Sequence, residues 1–270
     1  MKRIVIMGAT SGIGLRVAEM YATAGWRVGV AGRKDDVMKT LENRFPKQIE
    51  WAHIDITRRE APRQLKDLIE KLGGMDIYLH VSGIFAENLS LNTERETAIA
   101  KTNVVGFTQM IATAFKYFRD NNDGKGQIAA ITSIAGTKGI GELASYSASK
   151  KYQQTYLQAL EQICSIQGLK IRFTDIRPGW IRTPLLDDER EYPFCMDLDR
   201  VAPIIVRAIR KRIRVAVVDW RWAVGYFFWR LIPGFLWIKL PVSVSRPASK
   251  PELVENTILE DYTAAPPAES

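Results

Sequence analysis

Seven short apolar runs, separated by segments of helical periodicity, constrain this 270-residue chain more than any other feature. The runs at 3–8, 26–32, 49–55, 75–83, 126–136, 169–179 and 213–219 read as strands. The segments at 12–25, 35–45, 58–74, 92–119, 145–164 and 200–212 read as helices. A strand with no polar alternation has to be covered on both faces, and a helix between strands returns the chain to pair in parallel. The expectation is an α/β fold: a doubly wound parallel sheet of about seven strands in three α/β/α layers.

Such a sheet binds ligands outside the carboxyl ends of its strands. The first run ends in "GATSGIG", residues 8 to 14, which supplies Gly8, Thr10, Ser11, Gly12, Ile13 and Gly14 at a strand-to-helix turn. Glycine there lets the chain turn tightly and lets a pyrophosphate approach the backbone at a helix N-terminus. The sheet is therefore expected to be of the Rossmann type, with a bound nucleotide. The second strand ends in "AGRKDD". Gly32 stands where an NAD-preferring site places an acid for the ribose hydroxyls, and Arg33 follows it. A guanidinium there grips a 2′-phosphate, with Lys34 beside it, so NADPH is expected over NADH. Asp35 and Asp36 read as first-turn acids of the next helix.

Composition narrows the setting. Hydrophobic residues make up 46% of the chain, enough for a full core at this length. Cys164 and Cys195 are isolated and read as free thiols, and with His53 and His80 they offer no zinc-ligand pattern. The start, "MKRIVIMGAT", runs directly into a strand, so a cytoplasmic setting is the expectation. The formal charge is +8, but residues 203 to 240 carry eight Lys or Arg against the single acid Asp219. A local basic surface follows, and no nucleic-acid partner is expected.

"SYSASKKYQ", residues 145 to 153, places Tyr146 and Lys150 four apart, on one helix face. With the motifs around it, the chain resembles the short-chain dehydrogenase/reductase superfamily over about residues 2 to 220. The motifs, in the family's order, are Gly8-x3-Gly12-x-Gly14, Asp55, Asn103, Ser133, Tyr146-x3-Lys150, and "PGWIRTP" at 178 to 184. The resemblance implies roles. Asp55 and Ile56 contact the adenine. Ser133 holds the substrate carbonyl oxygen, Tyr146 is the general acid in reduction, and Lys150 binds the nicotinamide ribose. Asn103 holds a water in a proton relay, and Pro178, Gly179, Ile181 and Thr183 cover the nicotinamide. It also implies a homodimer or homotetramer through the long helix and the Tyr-bearing helix. The chemistry fits independently, because a carbonyl accepting hydride needs a donor aimed at its oxygen. A neighbouring ammonium is expected to bring the tyrosine down from its ordinary pKa of about 10. One departure stands at the fourth strand. The family's Asn-Asn-Ala-Gly is here His80-Val81-Ser82-Gly83, which keeps the glycine, and His80 reads as a structural partner of nearby backbone.

After the seventh strand comes "DWRWAVGYFFWRLIPGFLWIKLP", 219 to 241. Arg230 and Pro233-Gly234 break it into pieces too short to span a bilayer. Two readings stay open and compatible: contact with a membrane–water interface, which would make the protein peripheral on the cytoplasmic face, or a cover over the substrate cleft. Three parts are expected: a catalytic domain at 1–219, an aromatic-basic extension at 220–245, and a polar, disordered tail at 246–270. The segment 185–199 is expected to form the variable substrate loop. The function expected is NADPH-dependent reduction of a hydrophobic ketone, a 3-keto lipid for example. An alcohol dehydrogenase running oxidatively and a non-catalytic nucleotide-sensing scaffold are the alternatives. No metal is expected.

Overall fold

The computed structural model describes residues 2–183 and 192–243. Its main sheet has seven parallel strands: β1 (Arg3–Met7), β2 (Arg27–Gly32), β3 (Ile49–His53), β4 (Ile77–His80), β5 (Lys125–Ile131), β6 (Lys170–Arg177) and β9 (Val215–Val217). They lie in the order β3-β2-β1-β4-β5-β6-β9. The chain therefore winds outward one way from β1 and the other way from β4. Between those two strands lies the switch point where such sheets take ligands. Each strand pairs in register with its neighbours, Ile4 standing opposite Val28 and Ile77.

Helices cover both faces, as the apolar runs require. Successive β1 side chains point to opposite faces. Val5 and Met7 join one core with Leu65 and Leu68 of α3 (Ala61–Lys71), Met110 and Phe118 of α5 (Phe107–Asn121) and Leu157 of α6 (Ala144–Gln167). Ile4 and Ile6 join a second core with Val17 of α1 (Gly12–Thr23), Met38 of α2 (Asp35–Arg44) and Ile205 of α7 (Leu198–Arg210). Cys164 is buried in the first core and both cysteines are free.

The structure differs from the sequence reading in three places. The expected long helix is interrupted: α4 (Thr93–Ala100) passes into a π-helical turn, Lys101–Gly106, before α5 begins. The widened turn coincides with Gly106, where a Cβ would lie 2.8 Å from the Ile56 carbonyl oxygen. Such turns are frequent at functional sites. The fifth strand stops at Ile131, and 134–137 is a 3-10 turn capped by Ser133, whose hydroxyl accepts from the Ala135 N–H at 3.1 Å. A small ribbon pairs β7 (Ile181–Arg182) with β8 (Met196–Asp197). The expected substrate loop falls partly, and the expected tail entirely, outside the described residues.

The chain then adds α8 (Trp220–Leu231) and α9 (Gly234–Trp237). Among the described residues, no helix is long and apolar enough to cross a membrane.

Candidate active site

A cleft of about 470 Å³ opens at the switch point. Its lining includes Gly8, Thr10, Ser11, Gly12, Ile13, Arg33, Lys34, Asp55 and Ile56, then Gly83, Tyr146, Lys150, Pro178, Gly179, Ile181 and Thr183. Gly14 lies behind it: a Cβ there would sit 1.9 Å from the Gly8 carbonyl oxygen, so only glycine lets α1 pack under the turn. Gly8 has φ +91°, and a Cβ on it would meet the Ser82 nitrogen at 2.6 Å. The glycines are therefore a cradle that side chains would fill. The first turn of α1 carries no acid, which leaves its N–H groups open to a phosphate. These residues fit a dinucleotide.

The cleft's far end explains Gly32. A Cβ there would lie 2.6 Å from the Thr10 methyl, so the acid of an NAD site has no room. Asp55 is held by its neighbour, its Oδ1 accepting from the Thr57 N–H at 2.9 Å and the Thr57 hydroxyl at 2.8 Å. The Thr183 methyl group lies 3.3 Å from the position of a Cβ on Gly12, so residues 178–183 fold back over the glycine loop.

The chemistry sits on α6. Lys150 is buried, and its Nζ donates to the Ile131 carbonyl and to Gln153 Oε1, both at 3.2 Å. The ammonium stands 5.6 Å from the Tyr146 ring centroid. The expected lowering of the tyrosine by this cation does not dominate. Burial pushes the Tyr146 hydroxyl up to about 12, with a hydrogen bond to Ser133 pulling the other way. Tyr146 therefore carries its proton at neutral pH, as a general acid must. Burial brings Lys150 down to about 8, and the charge of Asp175 pulls it back up.

Asp175 belongs to a buried chain of contacts. Its Oδ1 accepts from the Thr132 hydroxyl at 2.5 Å and its Oδ2 from Arg177 Nε at 2.8 Å, while Arg177 Nη1 donates to the Tyr226 hydroxyl of α8 at 2.5 Å. A reaction that needs the Lys150 ammonium is expected to fall off as pH rises through about 8. Asp175→Asn is expected to move that alkaline limb to lower pH, because it removes the group that raises Lys150. A pH profile of kcat/KM for wild type and variant checks this. An unmoved limb would detach Asp175 from the lysine.

Asn103 lines neither the cleft nor the adjoining pocket. Its side chain pins the loop after β4, accepting from the Ile84 N–H at 2.9 Å and donating to the Ile84 carbonyl at 2.8 Å. Its own carbonyl accepts from Gln153 Nε2 at 2.9 Å. A glutamine amide thus joins Asn103 to Lys150, a link that sequence reasoning missed. Gln154 was missed too, and its Nε2 donates to the Ser133 carbonyl at 2.7 Å. The available signal was periodicity: both glutamines fall on the buried stripe of α6, with Lys150 and Leu157. His80 is a buried neutral imidazole, brought to about 3 by burial and then by the Lys150 charge. Its Nδ1 lies 3.1 Å from the Tyr78 hydroxyl and its ring packs edge-on to Phe107 at 5.0 Å, so it serves the core.

Beyond Tyr146 lies a second, mostly apolar pocket of about 750 Å³. Tyr146, Gly179 and Trp180 line both spaces and mark where they meet. Ser133 stands in the second pocket, and Trp222, Trp229 and Trp237 of the C-terminal helices wall it. Trp180 packs edge-on to Phe85 at 5.7 Å, and Phe85 to Tyr146 at 5.0 Å. One of the two readings of the aromatic segment, a cover over the cleft, describes this inner face.

A family profile described as short chain dehydrogenase matches residues 2–193. This chain belongs to the short-chain dehydrogenase family. It is 25% identical over 237 residues to an uncharacterized oxidoreductase of Myxococcus xanthus, covering 85% of this chain and 92% of that one. It is 29% identical to an uncharacterized oxidoreductase of Mycobacterium tuberculosis, covering 82% and 90%. Among solved short-chain dehydrogenase folds, ElxO with NADP bound superposes at a TM-score of 0.71 with 20% identity, covering 84% of this chain and 99% of that chain. An actinorhodin polyketide ketoreductase with NADPH gives 0.61 at 25% identity, covering 68% and 72%. The seven-stranded order matches the short-chain dehydrogenase architecture, and the chain is an oxidoreductase of that family.

Proposed function

We propose that this oxidoreductase uses NADPH to reduce a bulky apolar ketone, a long-chain 3-keto lipid for example, to the alcohol. The observation that carries the reading is the apolar pocket of about 750 Å³ meeting the nucleotide cleft at Tyr146, Gly179 and Trp180. Gly8, Gly12, Arg33, Asp55, Lys150 and Thr183 would hold the dinucleotide, which supplies the hydride when bound. Arg33 and Lys34, with the space at Gly32 filled by Thr10, support NADPH over NADH. So do two structural neighbours, one with NADP bound and one a ketoreductase with NADPH.

Ser133 and Tyr146 orient the carbonyl oxygen, and Tyr146 delivers the proton as negative charge develops there. Lys150 stabilises the phenolate left behind, and Gln153 and the Ile131 carbonyl hold it in place. The ketoreductase neighbour supports reduction over the oxidative reading. The complete set of Asn103, Ser133, Tyr146 and Lys150 argues against an idle scaffold. A cytoplasmic homodimer or homotetramer belongs to the same reading.

The test is NADPH oxidation against ketones of increasing chain length. Rates are expected to rise with apolar length, and Ile140→Trp, which fills the pocket, is expected to remove that dependence. Good turnover of short soluble ketones with none of long ones would overturn the reading.

A further inference from the structure

Most of the outer face of α8 has no use in the site just described. Trp220, Val224, Phe227, Phe228 and Leu231 are 50–71% exposed. At about 100° per residue these positions fall within roughly a 100° arc of the helix. Trp222, Tyr226 and Trp229 point the other way, toward the pocket and β6. Both faces of α8 are therefore apolar, and only one is covered. After Pro233, Phe235, Leu236, Ile238 and Leu240 are bare as well, 46–79% exposed. So many adjacent bare apolar side chains mark an interaction surface.

Charge selects the partner. Arg221, already held by Asp219 at 3.0 Å, and Arg230 fall on opposite flanks of the stripe, and Lys239 sits beside Ile238. Arg230 and Lys239 have no carboxylate partner among the described residues, and both are exposed. The sole acid of residues 219–240, Asp219, is held by Arg221, so a second copy of this face offers Arg230 and Lys239 no free carboxylate. A helix with a bare apolar stripe flanked by cations matches a helix lying in an anionic lipid interface.

We propose that α8 and α9 dock the protein on an anionic membrane surface. Phe228 and Leu231 belong both to the exposed stripe and to the pocket lining. Docking therefore sets the rim of the pocket against lipid, and an apolar ketone passes from the bilayer toward Tyr146. That last clause rests on the proposed reduction; the docking itself does not.

The test is sedimentation of the full chain with vesicles, without NADPH. Vesicles of phosphatidylcholine with phosphatidylglycerol are compared with phosphatidylcholine alone. Binding is expected to the anionic vesicles only and to weaken in high salt. Phe227→Ser/Phe235→Ser is expected to lower partition by roughly tenfold or more, and Arg230→Glu/Lys239→Glu to abolish the anionic preference. Neither pair touches the catalytic residues, so turnover of a soluble ketone serves as the folding control. No vesicle binding, or binding that these variants leave unchanged, would overturn the proposal. So would a change of oligomeric state in the Phe variant without vesicle binding, or binding seen only after residues 244–270 are removed. Vesicle binding with no ketone reduced by any form would sink the reduction and leave the docking standing.

Discussion

Tyr146→Phe is expected to lower kcat for ketone reduction by about 10²–10⁴-fold while leaving NADPH affinity and thermal stability nearly unchanged. In the proposed reduction the hydroxyl is the proton donor; it stands at the junction of the two cavities, and burial keeps it protonated. The ring packs against Phe85, so phenylalanine keeps the packing and removes only the donor. Ser133 alone then faces the developing oxyanion, and a serine hydroxyl has no ammonium behind it to stabilise its anion. Kinetics with a saturating ketone, beside NADPH titration by fluorescence, separate the two effects. Equal kcat in both forms would remove Tyr146 from the proton transfer. A large loss of NADPH affinity would make it a binding residue instead.

Arg33→Ala is expected to cost about 10–100-fold in kcat/KM with NADPH and no more than about threefold with NADH, since a charge-assisted contact to a 2′-phosphate is lost only in the first case. The converse change is conditional. Gly32→Asp alone is expected to create no NADH preference, because the new side chain meets the Thr10 methyl at 2.6 Å. Adding Thr10→Ala removes that atom, and the triple change with Arg33→Ala is expected to reverse the preference. Paired kcat/KM values for both cofactors read the outcome. Equal losses with NADPH and NADH for Arg33→Ala would show that Arg33 does not read the phosphate.

The strands were legible because their apolar runs alternate with helical periodicity, and the glycine loop because a backbone crossing has no substitute for missing side chains. Gly8 and Gly14 show why: their Cβ positions fall on neighbouring backbone atoms. The π turn at Lys101–Gly106 was not legible, since hydropathy does not distinguish a helix that widens from one that continues. Gln153 and Gln154 escaped for a related reason. Their partners, Asn103 and Ser133, lie 50 and 21 residues away, and a buried amide looks like a solvated one until those partners are in place. The expected lowering of Tyr146 by Lys150 rested on spacing, whereas burial raises the hydroxyl and the hydrogen bond to Ser133 is what lowers it. At α8 the pattern itself was ambiguous. Trp222 and Trp229 on one face and Trp220 and Phe227 on the other are equally apolar, so only the fold decided which pair walls the pocket.

In the proposed reduction a hydride passes from NADPH to an apolar carbonyl beside Tyr146. Turnover of a long-chain ketone with NADPH deuterated at the transferring carbon, followed by mass spectrometry of the alcohol, tests it most directly. Wild type is expected to place one deuterium on the carbinol carbon, and Tyr146→Phe to give almost no labelled product. Alcohol formed without deuterium, or no labelled product from any apolar ketone, would contradict it.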